Sequence, residues 1–248
     1  MVDKGRSQQR LVLIDATVNT AKAAHVLGCH TVFVQQPGSR AQDLVDDQSG
    51  YYSLDFTGEA YASFVDEVLR PLNPTAVVSL SAAGITPAAV ANELLSTPGT
   101  PTSVLTALAE GARPAVDANG RAVLVHSFTT GGVHELVSVA PRESLSDTQE
   151  QFGPEAILDS TEREAVSRAL RELLDGAGLE NGFVRAEVDL SGGTPRVVSI
   201  QHHVDDDEAA LLRQLTGIDL TRRALEWPLQ APAAWPIAPS EGLGGNTR

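Results

Sequence analysis

Short continuous apolar runs alternate with helical stretches through the first hundred residues, and this alternation constrains the fold more than any other feature. Leu11-Val12-Leu13-Ile14 reaches Asp15 without a polar break, the pattern of a strand buried on both faces. Residues 20–27 follow as a helix that Gly28 can stop. A second strand over 31–34 closes on the turn Gln36-Pro37-Gly38, and a weaker third covers 51–56. An amphipathic helix over 58–69 should end at Pro71 and Pro74, before a fourth strand at 76–80 and a helix at 87–95. Strands joined through helices imply crossover connections and a parallel sheet. Residues 1–98 are therefore expected to form a Rossmann-like α/β domain.

The pattern changes after Pro98. A helix is expected within 100–113 and a turn at Asp117-Ala118-Asn119-Gly120. Strands at 122–128 and 133–139 then flank Thr129-Thr130-Gly131-Gly132 as an antiparallel hairpin. A charged helix over 161–176 has Ser160 as its cap and Glu162 and Glu164 in its first turn. Strands at 183–190 and 196–203 form a second hairpin around Ser191-Gly192-Gly193-Thr194. Helices at 207–215 and 220–227 follow, the last stopping before Pro228. Residues 99–230 thus read as an α+β domain, and 231–248, rich in Pro, Ala and Gly, as a loose tail.

Alternation also places side chains in the second hairpin. Ala186, Val188 and Leu190 share one face of its first strand, and Arg185, Glu187 and Asp189 the other. On the return strand Val198 and Ile200 oppose Ser199, Gln201 and His203. Facing residues of an antiparallel pair point the same way, so matching the apolar sets calls for a turn with an odd residue count and a positive-φ glycine. The result is a polar face carrying Glu187 beside Ser199, Gln201 and His203. A solvated sheet face is the plainer reading of it, a cleft the functional one. His202 points the other way, as a sheet-packing histidine.

Charge narrows the partners. Among 248 residues, 18 basic side chains stand against 32 acidic ones, for a formal net charge of −14. That balance argues against nucleic acid or an anionic membrane, which need Lys/Arg clusters. No apolar run reaches the ~18–20 residues of a transmembrane helix, and residues 1–10 are polar rather than signal-like. The lone cysteine, Cys29, reads as a buried small hydrophobe, excludes an intrachain disulfide and fits a cytoplasmic protein. The only lysines are Lys4 and Lys22, so any chemistry needing a lysine on a phosphate must use one of them.

Several segments carry a family resemblance. Gly178-Leu179-Glu180-Asn181-Gly182-Phe183-Val184-Arg185-Ala186-Glu187-Val188 is similar to G-L-x-N-G-x-x-H-x-E-x. Thr194-Pro195-Arg196-Val197-Val198-Ser199-Ile200-Gln201-His202-His203 is similar to G-P-R-V-x-E-I-N-P-R, and Thr216-Gly217-Ile218-Asp219-Leu220 matches T-G-x-D-L. Val125-His126-Ser127-Phe128 with Gly131-Gly132-Val133-His134-Glu135 resembles V-E-E-F/Y followed by G-x-E. Together they resemble the ATP-grasp superfamily of carboxylate–amine ligases. The resemblance implies a Rossmann-like pre-ATP-grasp domain followed by a shortened ATP-grasp-like α+β domain.

The departures from that pattern bear on chemistry. In the family, carboxylates of E-I-N hold magnesium, while the arginine of N-P-R and lid lysines contact phosphates. Here those positions are Ser199, Gln201 and His203, only Glu187 stays acidic, and His126 or Ser127 stands at the adenine-hinge glutamate. Residues 99–121 are too few for the lid that carries the lysines. Hard-oxygen metal ligation and charge neutralisation dominate phosphoryl transfer, so ATP-dependent ligation is not expected, and no cofactor is.

Four of the six histidines, His126, His134, His202 and His203, fall in the hairpins that form the family's nucleotide cleft. Histidine titrates near neutrality and serves acid–base roles. His126, Glu187 and His203 are the candidate catalytic residues, with Ser199, Gln201, His134 and Arg185 as candidate ligand-binding residues. The acidic run Asp205-Asp206-Asp207-Glu208 reads as the start of a helix rather than a metal site, though His203, Asp205 and Glu187 are the trio a metal would use. Ser79 and Ser81 follow a strand where α/β sheets place ligand loops, with helix capping the plainer reading. Trp227 and Trp235 could anchor a partner, packing at a helix end being the simpler account of Trp227. Two functions are expected. The first is a repurposed enzyme of small-molecule biosynthesis, specialised or amino-acid-derived, working without ATP in the vacated cleft. The alternative is a non-catalytic pseudoenzyme subunit supporting an active ligase or another biosynthetic enzyme. The expected partners are accordingly a small-molecule ligand and a protein partner, either a ligase or a second copy of the chain.

Overall fold

In the computed structural model, which describes residues 9–39, 49–113, 121–141, 158–203 and 205–230, the N-terminal apolar runs pair as a parallel sheet. Its strands are β1 (Arg10–Ile14), β2 (His30–Gln35), β3 (Gly50–Ser53) and β4 (Ala76–Val78), in the order β3-β2-β1-β4. Helix α1 (Val18–Leu27) starts where the Thr17 side chain accepts from Thr20 N and ends at Gly28, whose φ is 70°. Helix α2 (Ala60–Phe64) runs on through a π-helical stretch, Val65–Leu69, into a closing turn, Arg70–Leu72. Pro71 therefore lies inside this run instead of ending it, just after the π-helical stretch, where its missing N–H leaves a carbonyl of the preceding turn without a helical donor. Helix α3 (Ile85–Leu95) follows β4.

The lack of alternation in these strands has its cause in two covered faces. Val12, Ile14, Val32, Val34 and Val77 pack against Tyr61, Val65 and Leu69 on one side, with Ala88 and Ala91 of α3. Leu11, Leu13, Phe33 and Ala76 face the other side, where α1 meets α7 (Leu220–Gln230). Cys29 is half-buried at the edge of that second core. Helix α7 passes through Pro228 rather than stopping before it. The Ala224 carbonyl loses its helical donor there, and burial of Leu225 and Leu229 under the first sheet offsets the loss.

The second sheet is antiparallel, in the order β6-β5-β7-β8, from β5 (Ala122–Thr130), β6 (Val133–Pro141), β7 (Gly182–Asp189) and β8 (Arg196–Gln201). Gly131 and Gly132, at φ 57° and 75°, make the tight turn of the first hairpin. One face packs on α4 (Thr102–Gly111) and α5 (Ser160–Ala177). The cap of α5 is Asp159, one residue earlier than expected: it accepts from Glu162 N at 2.8 Å while Glu162 returns to Asp159 N at 3.2 Å. This reciprocal pair satisfies two orphan donors, which Ser160 alone would not. The opposite face packs on α6 (Asp206–Thr216) and α7 through Phe128, Phe183, Leu212, Leu220 and Ala224.

The second hairpin keeps the expected pairing of its polar face but reaches it differently. Arg185 lies opposite Gln201, Ala186 opposite Ile200 and Glu187 opposite Ser199. A register shift then sets Val188 opposite Val197 and Asp189 opposite Arg196, so the loop 190–195 is even rather than odd. The bulge corrects the parity that the turn was expected to supply. Of the remaining expectations, Lys4, Trp235, the turn at 117–120 and the tail 231–248 lie outside the described residues.

Candidate functional site

Strand pairing gathers the expected polar residues on one sheet face. β5 and β7 set His126 opposite Arg185, and β8 adds Gln201 and Ser199 opposite Arg185 and Glu187. α6 covers part of that face, and Arg185, Glu187, Ser199 and Gln201 are left half-buried. Glu208 and Leu212, one helical turn apart, are both buried there. The His126 Nε2–Glu208 Oε1 distance is 2.8 Å, and the Nδ1–Ser138 Oγ distance is 2.7 Å. The Arg185 Nε stands 2.9 Å from the same Glu208 oxygen, as an ion pair whose N–H is not aligned for a hydrogen bond. The Arg185 guanidinium also donates to Gln201 Oε1.

His126 has no solvent exposure, and its ring stacks on Phe183 at 6.0 Å. Burial works to raise the Glu208 carboxyl. The facing His126 ring and Arg185 outweigh it, so the carboxyl is held below its ordinary value of 4.5. Glu208 was not among the residues singled out by sequence. Within an acidic run read as a helix start, only its position four before Leu212 marks it as the carboxylate that turns inward.

The remaining histidines do not join this cluster. His134 pairs with Thr129 on the opposite sheet face, its Nδ1 2.8 Å from Thr129 Oγ1 and its Nε2 3.0 Å from Asp175 Oδ1 of α5. His203 is half-buried beyond the end of β8. His202 departs from the sheet-packing expectation: because β8 ends at Gln201, its ring lines a cavity shared by the two sheets' loops. Burial pushes its imidazole down to about 4, with the neighbouring His203 adding to that and the Phe183 carbonyl opposing it. Among the described residues, no three His, Cys, Asp or Glu side chains converge to hold a metal ion.

At the carboxyl ends of β1 and β4, where the chain order reverses, Ser81 Oγ donates to Asp15 Oδ2 at 2.6 Å and Gly84 N donates to Ser81 Oγ at 3.0 Å. Asp15 takes φ 53°, a conformation that L residues other than glycine rarely adopt. This switch point is where α/β sheets place ligands. Lys22 lies elsewhere, exposed on α1.

No protein-family model matches the sequence, and comparison with curated proteins finds none similar to it. Solved structures do match in fold. The L-amino acid ligase from Bacillus licheniformis superposes with a TM-score of 0.74 over 90% of this chain and 75% of its own, at 15% identity. Phosphoribosylglycinamide synthetase from Anaerococcus prevotii gives 0.70 over 90% and 75%, at 13% identity. Biotin carboxylase from Campylobacter jejuni gives 0.64 over 94% and 73%, at 10% identity. The chain therefore has the ATP-grasp-like fold, a parallel α/β unit followed by an antiparallel sheet with helices. At these identities the likeness is one of fold.

Proposed function

We propose that this chain is an ATP-grasp-like protein of small-molecule biosynthesis that works without ATP, and that its role there is non-catalytic. The observation that carries the reading is Glu208 wedged between His126 and Arg185 on the face that the resemblance assigns to nucleotide. Seating a nucleotide there would separate these contacts and strand buried polar groups, a cost of about 3–5 kcal/mol for a sealed pair. Among the described residues the cations near this face are already committed, Arg185 to Glu208 and Gln201, Arg196 to Asp189 and Arg223 to Glu135, while Lys22 is exposed on α1. The short stretch of sequence between Gly111 at the end of α4 and Ala122 at the start of β5 supports the reading, being too few residues for a lid. A non-catalytic role is favoured over an acid–base enzyme because both His126 nitrogens are engaged and the ring is sealed from solvent. The reading keeps the chain in the cytoplasm beside a small molecule or an active biosynthetic enzyme.

Titration calorimetry with ATP and magnesium should give no binding heat, and a micromolar signal would overturn the ATP-free reading. Glu187→Ala and His203→Ala should leave product formation by the host pathway unchanged. Loss of product in either stably folded variant would restore the enzymatic reading.

A further inference from the structure

Between the first sheet and the end of β7 lies a cavity of about 80 Å³. One buried water needs only about 10–15 Å³ on this kind of measure, so the space admits a small organic molecule. Leu80, Ile85, Leu105, Phe183 and Trp227 contribute most of its apolar wall. Asn92, Thr100 and Ser79 are already engaged. Asn92 accepts from Val77 N at 3.2 Å and donates to Val77 O at 2.8 Å. Thr100 donates to the Asn181 carbonyl at 3.0 Å, and Ser79 Oγ accepts from Ser81 N at 3.2 Å.

His202 differs from these, since its Nε2 is buried with no hydrogen-bond partner. The Phe183 carbonyl acts on the ring as an acceptor, favouring the proton against the effect of burial. With the single proton of the neutral imidazole on Nδ1, Nε2 presents a lone pair to the cavity. An orphaned acceptor in an otherwise apolar cavity asks for one donor.

We propose that this cavity is a binding site for a small, uncharged, mainly apolar molecule that donates one hydroxyl or amide N–H to His202 Nε2. The wall carries no charged side chain and the imidazole is neutral at physiological pH, so an ionic ligand would lose its hydration without a counter-charge. Leu105 also borders an outer groove of about 440 Å³ with Thr86, Thr102, Thr106 and Glu110. The site goes beyond the ATP-free reading and does not depend on it, since it uses neither His126 nor Glu208.

The test follows the ring nitrogens of the full chain, labelled with 15N-histidine, during titration with propan-2-ol and with acetone. The two probes share a carbon skeleton, but only the alcohol donates. Propan-2-ol should shift the His202 Nε2 resonance saturably and move the Ile85 and Leu105 methyl signals, binding at least about tenfold more tightly than acetone. His202→Phe, checked by its melting curve, should reduce the alcohol to the acetone level. Equal binding of the two probes overturns the proposal. So does the absence of any saturable shift, which would leave the nitrogen satisfied by water alone. If the variant does not fold, the probe pair on the wild-type chain decides the matter.

Discussion

Glu208→Ala takes away the one oxygen that His126 Nε2 meets at 2.8 Å and Arg185 Nε at 2.9 Å. His126 is fully buried, so its abandoned ring nitrogen costs about 1–3 kcal/mol. Arg185 keeps Gln201, and its side chain is 21% exposed, so water partly screens the charge left behind. Including the lost packing of the side chain's methylenes at ~0.8 kcal/mol each, the variant should lose about 3 kcal/mol. At roughly 2–4 °C per kcal/mol for a chain of this size, that corresponds to a fall of about 6–12 °C in Tm. Thermal and urea unfolding followed in parallel would measure it. Glu208→Gln should lose less, because its amide oxygen can still accept from His126. A cycle with His126→Ala should return a coupling of at least about 1 kcal/mol.

The pH dependence provides an internal check. The Glu208 carboxyl is held below its unfolded value of 4.5, so its contribution is present above that pH and is lost as pH falls through the lower folded value. The Glu208→Gln variant should lack this part of the acid sensitivity. A Tm for Glu208→Ala within about 2 °C of wild type, less than a single kcal/mol would give, would show that the carboxylate does not pin α6 to the sheet. The ATP-free reading would then lose its main support.

Other expectations follow from single groups. His202 titrates near 4 in the fold against 6.5 unfolded, so the unfolded chain takes up the proton first as pH falls. Stability should therefore decline from about pH 6.5 down to 4 by roughly 2–3 kcal/mol, and urea midpoints for His202→Phe should be flatter over that window. An unchanged slope in the variant would remove His202 as the cause. Gly84→Ala places a Cβ 2.3 Å from Ser79 Oγ and 2.8 Å from the Ile14 carbonyl, so backbone must move. A loss of about 1–3 kcal/mol is expected, with Gly192→Ala, which meets nothing within 4 Å, as the neutral control in the same denaturation series.

The strands were legible in sequence because their periodicity reports burial directly. Leu11–Ile14 is apolar throughout since helices cover both faces of its sheet, and the polar alternation of β7 placed Arg185 and Glu187 together correctly. Prolines misled, since Pro71 and Pro228 were read as helix ends. A proline forbids one hydrogen bond but does not reveal whether packing elsewhere offsets the loss. The candidate site was half legible. His126, Arg185 and Gln201 do converge, whereas Glu208, which joins two of them, comes from a separate helix whose docking no local pattern encodes. His134 is grouped with His126 in sequence because both fall in hairpins that the resemblance assigns to the nucleotide cleft, and strand alternation with the His126/Ser127 register shift sets them on opposite faces.

The position of α7 has a consequence for how the chain reaches its fold. Leu11, Leu13 and Phe33 are synthesised long before Leu225 and Leu229, which help cover them. Such long-range closure slows folding and leaves early surfaces uncovered in the meantime. On the ribosome the parallel unit would emerge with this face covered by α1 alone, and it would stay so until residues 220–230 had cleared the exit tunnel. The N-terminal sheet is thus built first and completed last.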